Sequence, residues 1–127
     1  MSLVGCNNQN QTKEQSSISK TTSKEDYELQ EQCGKRSEEF FRKKFKYSKP
    51  FLHQNHYNKK LNKCFILARY LDEQKYLYDV NENKRYGVFY KNPSTPKEID
   101  FVLCEVLEKE CKSVSEFDSL VKPYMKE

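Results

Sequence analysis

Two histidines, five cysteines and a block of lysines among aromatic rings are the residues in this 127-residue chain equipped for chemistry. His53 and His56 form an H-x-x-H pair. Two neutral imidazoles at that spacing can supply part of a transition-metal site. Such a site needs further ligands, and Asp72 and Glu73 are the carboxylates on offer if the fold brings them near. The plainer reading uses the imidazoles, Tyr57 and the neighbouring Asn side chains to hydrogen-bond a loop onto a sheet edge, so no metal is expected. Nucleophilic catalysis would need a Ser or Cys beside a His and an orienting acid. The chain has no G-x-S-x-G turn, and its three glycines form no phosphate-cradling loop. Its acids lie among lysines, where a solvated surface is the default, rather than as a facing pair suited to glycoside cleavage. The expectation is a protein that is not an enzyme and takes no cofactor.

The cysteines have a different use. Cys6 follows Leu3-Val4-Gly5, an apolar stretch and a small residue, which is the pattern of a bacterial lipobox. In that pattern the cysteine becomes the lipidated first residue of the mature protein. Only Met1 to Gly5 precede it, fewer than the roughly 7–15 apolar residues of a secretory leader, so a truncated leader or a late start codon is expected. Residues 7–24 are Asn, Gln, Ser, Thr, Lys and Glu with one aliphatic residue, Ile18. Such a stretch buries too little apolar surface to offset its ordering entropy, and residues 1–23 read as lipobox and tether. With Cys6 given to lipid, Cys33, Cys64, Cys104 and Cys111 remain. An even number in an oxidising compartment points to two disulfides, with three connectivities open by counting alone. A zinc site wants close pairs such as C-x₂-C, and the chain has none.

The remaining residues, 24–127, suit one domain with a single core. The chain is 33% charged with a net charge of +4, too weak a basic balance to argue for nucleic acid. Nine Tyr, eight Phe and no Trp mean a core built on rings, with phenol hydroxyls at its wet rim. Lys43, Lys44, Lys46, Lys49, Lys59, Lys60 and Lys63 lie close together in sequence with Phe45, Tyr47, Phe51 and Tyr57 among them. In the cytoplasm that mixture is a nucleic-acid footprint. Outside it, the same residues would meet anionic head groups or acidic polymers. A solvated lysine-rich surface is the bland alternative.

Hydrophobic spacing supplies the elements that must position these residues. Leu29, Cys33, Ser37, Phe40, Phe41 and Phe45 recur at helical period, predicting an amphipathic helix over 24–46, begun by Ser23 and ended before Pro50. Gly34 within it suggests close approach to a neighbour. Residues 51–63 read as a loop running into a strand, and the run from Cys64 to Leu71 as a central strand. Asp72-Glu73-Gln74 turns the chain into strands over 75–80 and 85–90, joined by an Asn81–Lys84 hairpin loop. Tyr86, Val88 and Tyr90 are expected on one face, and Gly87 marks a bulge or an aromatic ring over bare backbone.

Residues 99–107 are ambiguous. A helix could be started by Thr95-Pro96-Lys97-Glu98, but a strand is favoured. On one helix Cys104 and Cys111 would be about 10 Å apart, beyond the ~7 Å a disulfide tolerates. Their pairing requires a turn at Glu108–Glu110. Ser113-Val114-Ser115-Glu116 is a capping box for a final helix carrying Phe117, Leu120, Val121 and Tyr124, with Pro123 kinking or fraying its end. The expected fold is α+β: a long N-terminal helix, a three- to four-stranded antiparallel sheet and a short C-terminal helix, both helices on one sheet face. The expected crosslinks are Cys33–Cys64 and Cys104–Cys111.

Cys33-Gly34-Lys35-Arg36, the stretch from His56 to Phe65, Asp79 to Lys84, Glu116-Phe117-Asp118 and Lys122 to Met125 resemble small bacterial periplasmic and lipoprotein sequences. The resemblance spans roughly residues 26–127, and its most specific part is the HYNKKLNKCF stretch. No activity is assigned to that family, so the resemblance implies an envelope location and transfers no catalytic residue. The expectation is a periplasmic or surface domain held to the membrane through Cys6. It would bind an envelope protein or an acidic polymer, and not nucleic acid, with His53, His56, Tyr57, Lys59 and Lys60 as the contact surface. An inhibitor of a cell-wall hydrolase such as lysozyme is the alternative, or a minimal periplasmic hydrolase.

Overall fold

The computed structural model describes residues 24–47, 50–71, 74–92 and 102–126. Cys6 with the tether, Ser23, Lys49, Asp72, Glu73 and the Thr95–Glu98 box lie outside them. Helix α1 spans residues 24–44. Six strands follow: β1 Leu52–Asn58, β2 Lys63–Leu71, β3 Gln74–Asp79, β4 Lys84–Lys91, β5 Val102–Val106 and β6 Lys109–Glu110. Helix α2, Val114–Met125, closes the chain. Each strand pairs antiparallel with the next in chain order, so the sheet is a six-stranded meander.

The fold is therefore α+β with an antiparallel sheet, but with six strands where three or four were expected. Residues 51–63, expected as a loop running into a strand, hold β1 at their start, although Leu52-His53-Gln54-Asn55-His56-Tyr57-Asn58 is mostly polar. β1 is an edge strand whose first three residues are exposed, so no apolar alternation is needed there. Gln30 of α1 blunts that edge. Its amide donates to Asn55 Oδ1 and accepts from the Tyr57 backbone N–H, both at 2.8 Å. Strand β6 is two residues long, too short to carry a pattern.

The helices lie on opposite faces of the sheet, which corrects the expectation that they share one. Residues Cys64 to Ala68 of β2 are buried without a break. Alternate side chains of a strand point to opposite faces, so such a run needs cover on both. Cys64 meets α1 through Cys33, and Tyr70 meets Phe45 just past its end. Phe65, Leu67, Leu77, Phe89, Cys104 and Val106 pack with Phe117 and Val121 of α2. Fully burying a side chain such as Phe65 or Phe117 contributes roughly 1.5–3 kcal/mol. The register of β3 against β4 slips between Leu77 and Tyr78. That bulge turns Tyr86 toward α2, where its ring meets Phe65 at 5.2 Å and Tyr124 at 5.6 Å. Tyr86 therefore does not share a face with Val88 and Tyr90, as strict alternation had predicted. At Gly87, next to the bulge, an added Cβ would sit 3.3 Å from Phe117 and from Val106. Both roles suggested for this glycine are present together.

Both expected disulfides form, Cys33–Cys64 with Cα atoms 5.4 Å apart and Cys104–Cys111 at 4.9 Å. Residues 102–106 are strand, and the turn falls at Leu107–Glu108, one step before the expected Glu108–Glu110. Leu107 takes a left-handed φ of 54° there. Ser113 caps α2 by accepting from the Glu116 N–H at 3.2 Å, and the Glu116 carboxylate accepts from the Lys112 N–H at 2.7 Å. The helix runs through Pro123 to Met125. The buried Asn58 amide donates to the Pro123 and Tyr124 carbonyls at 2.9 and 3.2 Å, satisfying acceptors that a helix end leaves orphaned. On β3, buried Lys75 donates to Asp118 at 3.0 Å and holds the other end of α2.

The two interior glycines respond oppositely to alanine. At Gly34 the nearest atom to an added Cβ is Asn55 Oδ1 at 3.9 Å, an ordinary contact, so no close approach requires this glycine. Gly34→Ala is expected to raise stability by about 0.5–1 kcal/mol through helix propensity. Gly87→Ala is expected to lower it by about 1–3 kcal/mol through overpacking. Urea unfolding of both variants checks the contrast. The crosslinks should differ as well. The 31-residue separation of Cys33–Cys64 predicts a loss of roughly 3–4 kcal/mol when both are changed to Ala. The seven-residue separation of Cys104–Cys111 predicts roughly 2 kcal/mol, measured the same way.

Candidate functional site

The structure disperses the surface expected around residues 51–63. His53 and His56 are three residues apart on a strand, so they face opposite sides. His53 lies opposite Ala68 and stacks on Phe41 of α1 with centroids 4.0 Å apart. His56 lies opposite Phe65, on the α2 side. The pair cannot converge on one ligand, and no cluster of three metal-ligating side chains occurs among the described residues. Lys59, in the β1–β2 turn, pairs with Asp26 of α1 at 2.6 Å. Lys60 is exposed on the same turn.

The HYNKKLNKCF stretch serves as a fastening. Asn58 is fully buried and, besides holding α2, accepts from the Leu61 N–H at 2.9 Å to shape the turn. Tyr57 donates its hydroxyl to Asn62, which adopts a left-handed φ of 52°. Lys63 donates to buried Asp79 at 2.8 Å and pairs with Glu82 at 3.2 Å. Asp79 also accepts the Asn81 and Glu82 backbone N–H groups at 2.9 and 3.2 Å, which shapes the β3–β4 loop. Asn81 in turn accepts from the Cys64 N–H at 3.0 Å. Lys63 and Lys59 are therefore committed within the fold, and the lysine block divides into structural and available members.

Two of the available members, Lys43 and Lys44, meet at a cleft of about 480 Å³ between α1 and the β3–β4 hairpin, lined by Arg36, Glu39, Phe40, Lys43, Lys44, Val80, Asn81 and Asn83. Helical spacing places Arg36, Phe40, Lys43 and Lys44 along one side of α1. Phe40 meets Tyr78 of β3 with centroids 5.4 Å apart. The Lys44 ammonium lies over both rings, 5.9 Å from Phe40 and 5.1 Å from Tyr78. It also donates to the Asn83 side chain at 3.2 Å. Lys43 pairs with Glu39 at 3.0 Å, and that contact holds the Glu39 carboxyl below its usual range. Arg36 is exposed and has no ion pair among the described residues. Three cations face one carboxylate, so the cleft is locally positive. It can hold an anionic group by charge-assisted hydrogen bonds and lay an apolar or ring surface on Phe40 and Tyr78.

From sequence, Lys43 and Lys44 were visible within the lysine block. Arg36 and the hairpin residues Asn81 and Asn83 were not, because only the folded hairpin brings them against α1. Tyr78 was visible as a strand residue, without its ring partners. Searches among family models, curated proteins and solved structures find no match to this chain. Among the described residues no helix is long and apolar enough to cross a membrane.

The site carries an alkaline signature. Burial pushes the Tyr76 and Tyr78 phenols up, with Tyr70 acting in the same direction on both. The hydrogen bonds that Lys63 donates to Asp79 and then Glu82 hold its ammonium well above its ordinary range. All three groups have folded values above their unfolded ones, so their favourable contribution is complete below about pH 10, the ordinary range for Tyr and Lys. It is lost as pH rises through the folded values. Thermal unfolding between pH 8 and 11.5 should show stability falling above about pH 10. The fall should be shallower in a Tyr76→Phe/Tyr78→Phe variant.

Proposed function

We propose that this chain is a non-catalytic binding domain of the bacterial cell envelope, tethered to a membrane through a lipidated Cys6. It engages an envelope protein or an acidic polymer through the cleft between α1 and the β3–β4 hairpin. The carrying observation is that Arg36, Lys43 and Lys44 line one cleft with Phe40, whose ring meets Tyr78. A net charge of +4 spread evenly would not produce such a concentration. The two disulfides suit an oxidising compartment. The lipobox pattern at Cys6 and the family resemblance around HYNKKLNKCF support the same location.

The tether and the cleft are tested separately. Cells expressing the chain with an alkyne-tagged fatty acid should label it, and Cys6→Ala should abolish the label; equal labelling of both would remove the anchor from the reading. The purified chain should sediment with isolated bacterial envelopes in a salt-dependent manner. An Arg36→Gln/Lys44→Gln variant with unchanged melting temperature should bind about 3–10-fold less, the size expected for two surface charge contacts. Unchanged sedimentation would sink the cleft as the contact surface.

A further inference from the structure

We infer that the ligand of this cleft is an anionic oligosaccharide that continues from it across a row of tyrosines on the same sheet face. This rests on the binding reading above and names its ligand class. Tyr78 and Tyr76 lie two residues apart on β3, about 7 Å along the strand, and share the face turned away from α2. Tyr70 meets Tyr76 edge-on with centroids 5.9 Å apart, and Phe45, just past the end of α1, meets Tyr78 at 6.1 Å. All three tyrosines are half-buried. Their rings are fixed by one another while part of each remains at the surface. Arg85 of β4 lies directly opposite Tyr78 in the register and is exposed, with no ion pair among the described residues. It adds a further cation to this surface.

The resulting surface has three kinds of group. Arg36, Lys43 and Lys44 gather at the cleft, and Arg85 adds a fourth cation opposite Tyr78. The Asn81 and Asn83 oxygens accept from the Cys64 N–H and from Lys44, and the Tyr76 hydroxyl donates to Gln74 Oε1 at 3.1 Å, which leaves the amide N–H groups to donate and the phenol oxygen to accept. The rings of Phe40, Tyr78 and Tyr76 offer apolar faces. A sugar chain bearing occasional carboxylates needs this combination. Its C–H faces lie on rings, its hydroxyls exchange hydrogen bonds with amides and phenols, and each carboxylate takes a bidentate guanidinium contact. A nucleic acid draws its affinity from neutralising many closely spaced phosphates, and would make little use of the amides here. Its bases would also want parallel stacking platforms, whereas Tyr70 and Tyr76 stand at 87° to each other. An acidic peptide would satisfy the cations but leave the hydroxyl-rich row without purpose.

The test is calorimetric titration of the full chain with four probes: tri-galacturonate, its neutral counterpart tri-galactose, hexa-glutamate and a six-nucleotide single-stranded DNA. Tri-galacturonate should bind, and tri-galactose should bind at least tenfold more weakly. Arg85→Gln removes an exposed side chain and leaves the core alone; it should weaken tri-galacturonate binding about 3–10-fold at unchanged melting temperature. Tyr76→Phe, which keeps the ring and removes the hydroxyl, should weaken it about two- to fivefold. Hexa-glutamate binding as tightly as tri-galacturonate, and unaffected by Tyr76→Phe, would overturn the saccharide assignment and leave the cleft an anion-binding surface. Tighter DNA binding would overturn it in favour of a nucleic acid. Binding of none of the probes would overturn it outright; envelope sedimentation that still depends on Arg36 and Lys44 would then preserve the broader reading.

Discussion

Cys64 is the point on which the structure turns. Its sulfur is joined to Cys33 of α1, and Ser37 donates its hydroxyl to it at 3.4 Å, since neither disulfide sulfur carries a hydrogen. Its backbone N–H is accepted by the Asn81 side chain, and its carbonyl accepts from the Val80 N–H at 2.8 Å. One residue at the start of β2 therefore fixes the first helix and the β3–β4 loop to a single place. The cleft between that helix and that hairpin exists because both of its walls are anchored at Cys64.

The same constraint extends along the HYNKKLNKCF stretch to Asn58, Lys63 and Cys64. Each is spent on a neighbour: Asn58 on the end of α2, Lys63 on Asp79, Cys64 on α1. A buried Asn or Asp left without partners would cost about 1–3 kcal/mol, so residues like these are held to their partners as strictly as ligands are. The available chemistry lies beside them, on side chains whose burial is incomplete.

Two-sided burial sets the architecture. An antiparallel sheet covered on one face alternates apolar and polar residues, while a strand covered on both does not. β2 belongs to the second kind through Ala68, and β3 to the first kind only in appearance. Its alternate positions Lys75, Leu77 and Asp79 are buried under α2, and Tyr76 and Tyr78 are half-buried on the other side. Rings whose hydroxyls stay near water can serve core and surface at once. That dual character lets a small domain expose a shaped, rigid aromatic surface without an unstable apolar patch.

By itself the sequence determined what local pattern and covalent chemistry determine. Helical spacing from Leu29 to Phe45 placed α1, the Ser113–Glu116 box placed the start of α2, and the unbroken run at Cys64 placed the central strand. The geometry a disulfide demands then made residues 102–106 a strand. Tertiary structure alone decided the rest. β1 is polar because an edge strand needs little apolar surface, so nothing in its composition announced it. The helices fall on opposite faces because β2 needs cover on both, and Tyr86 changed sides at a bulge that strict alternation cannot foresee. Arg36, Phe40, Lys44 and Asn83 share a cleft only because Cys64 draws α1 against the hairpin, a contact between residues some forty positions apart that no periodicity encodes.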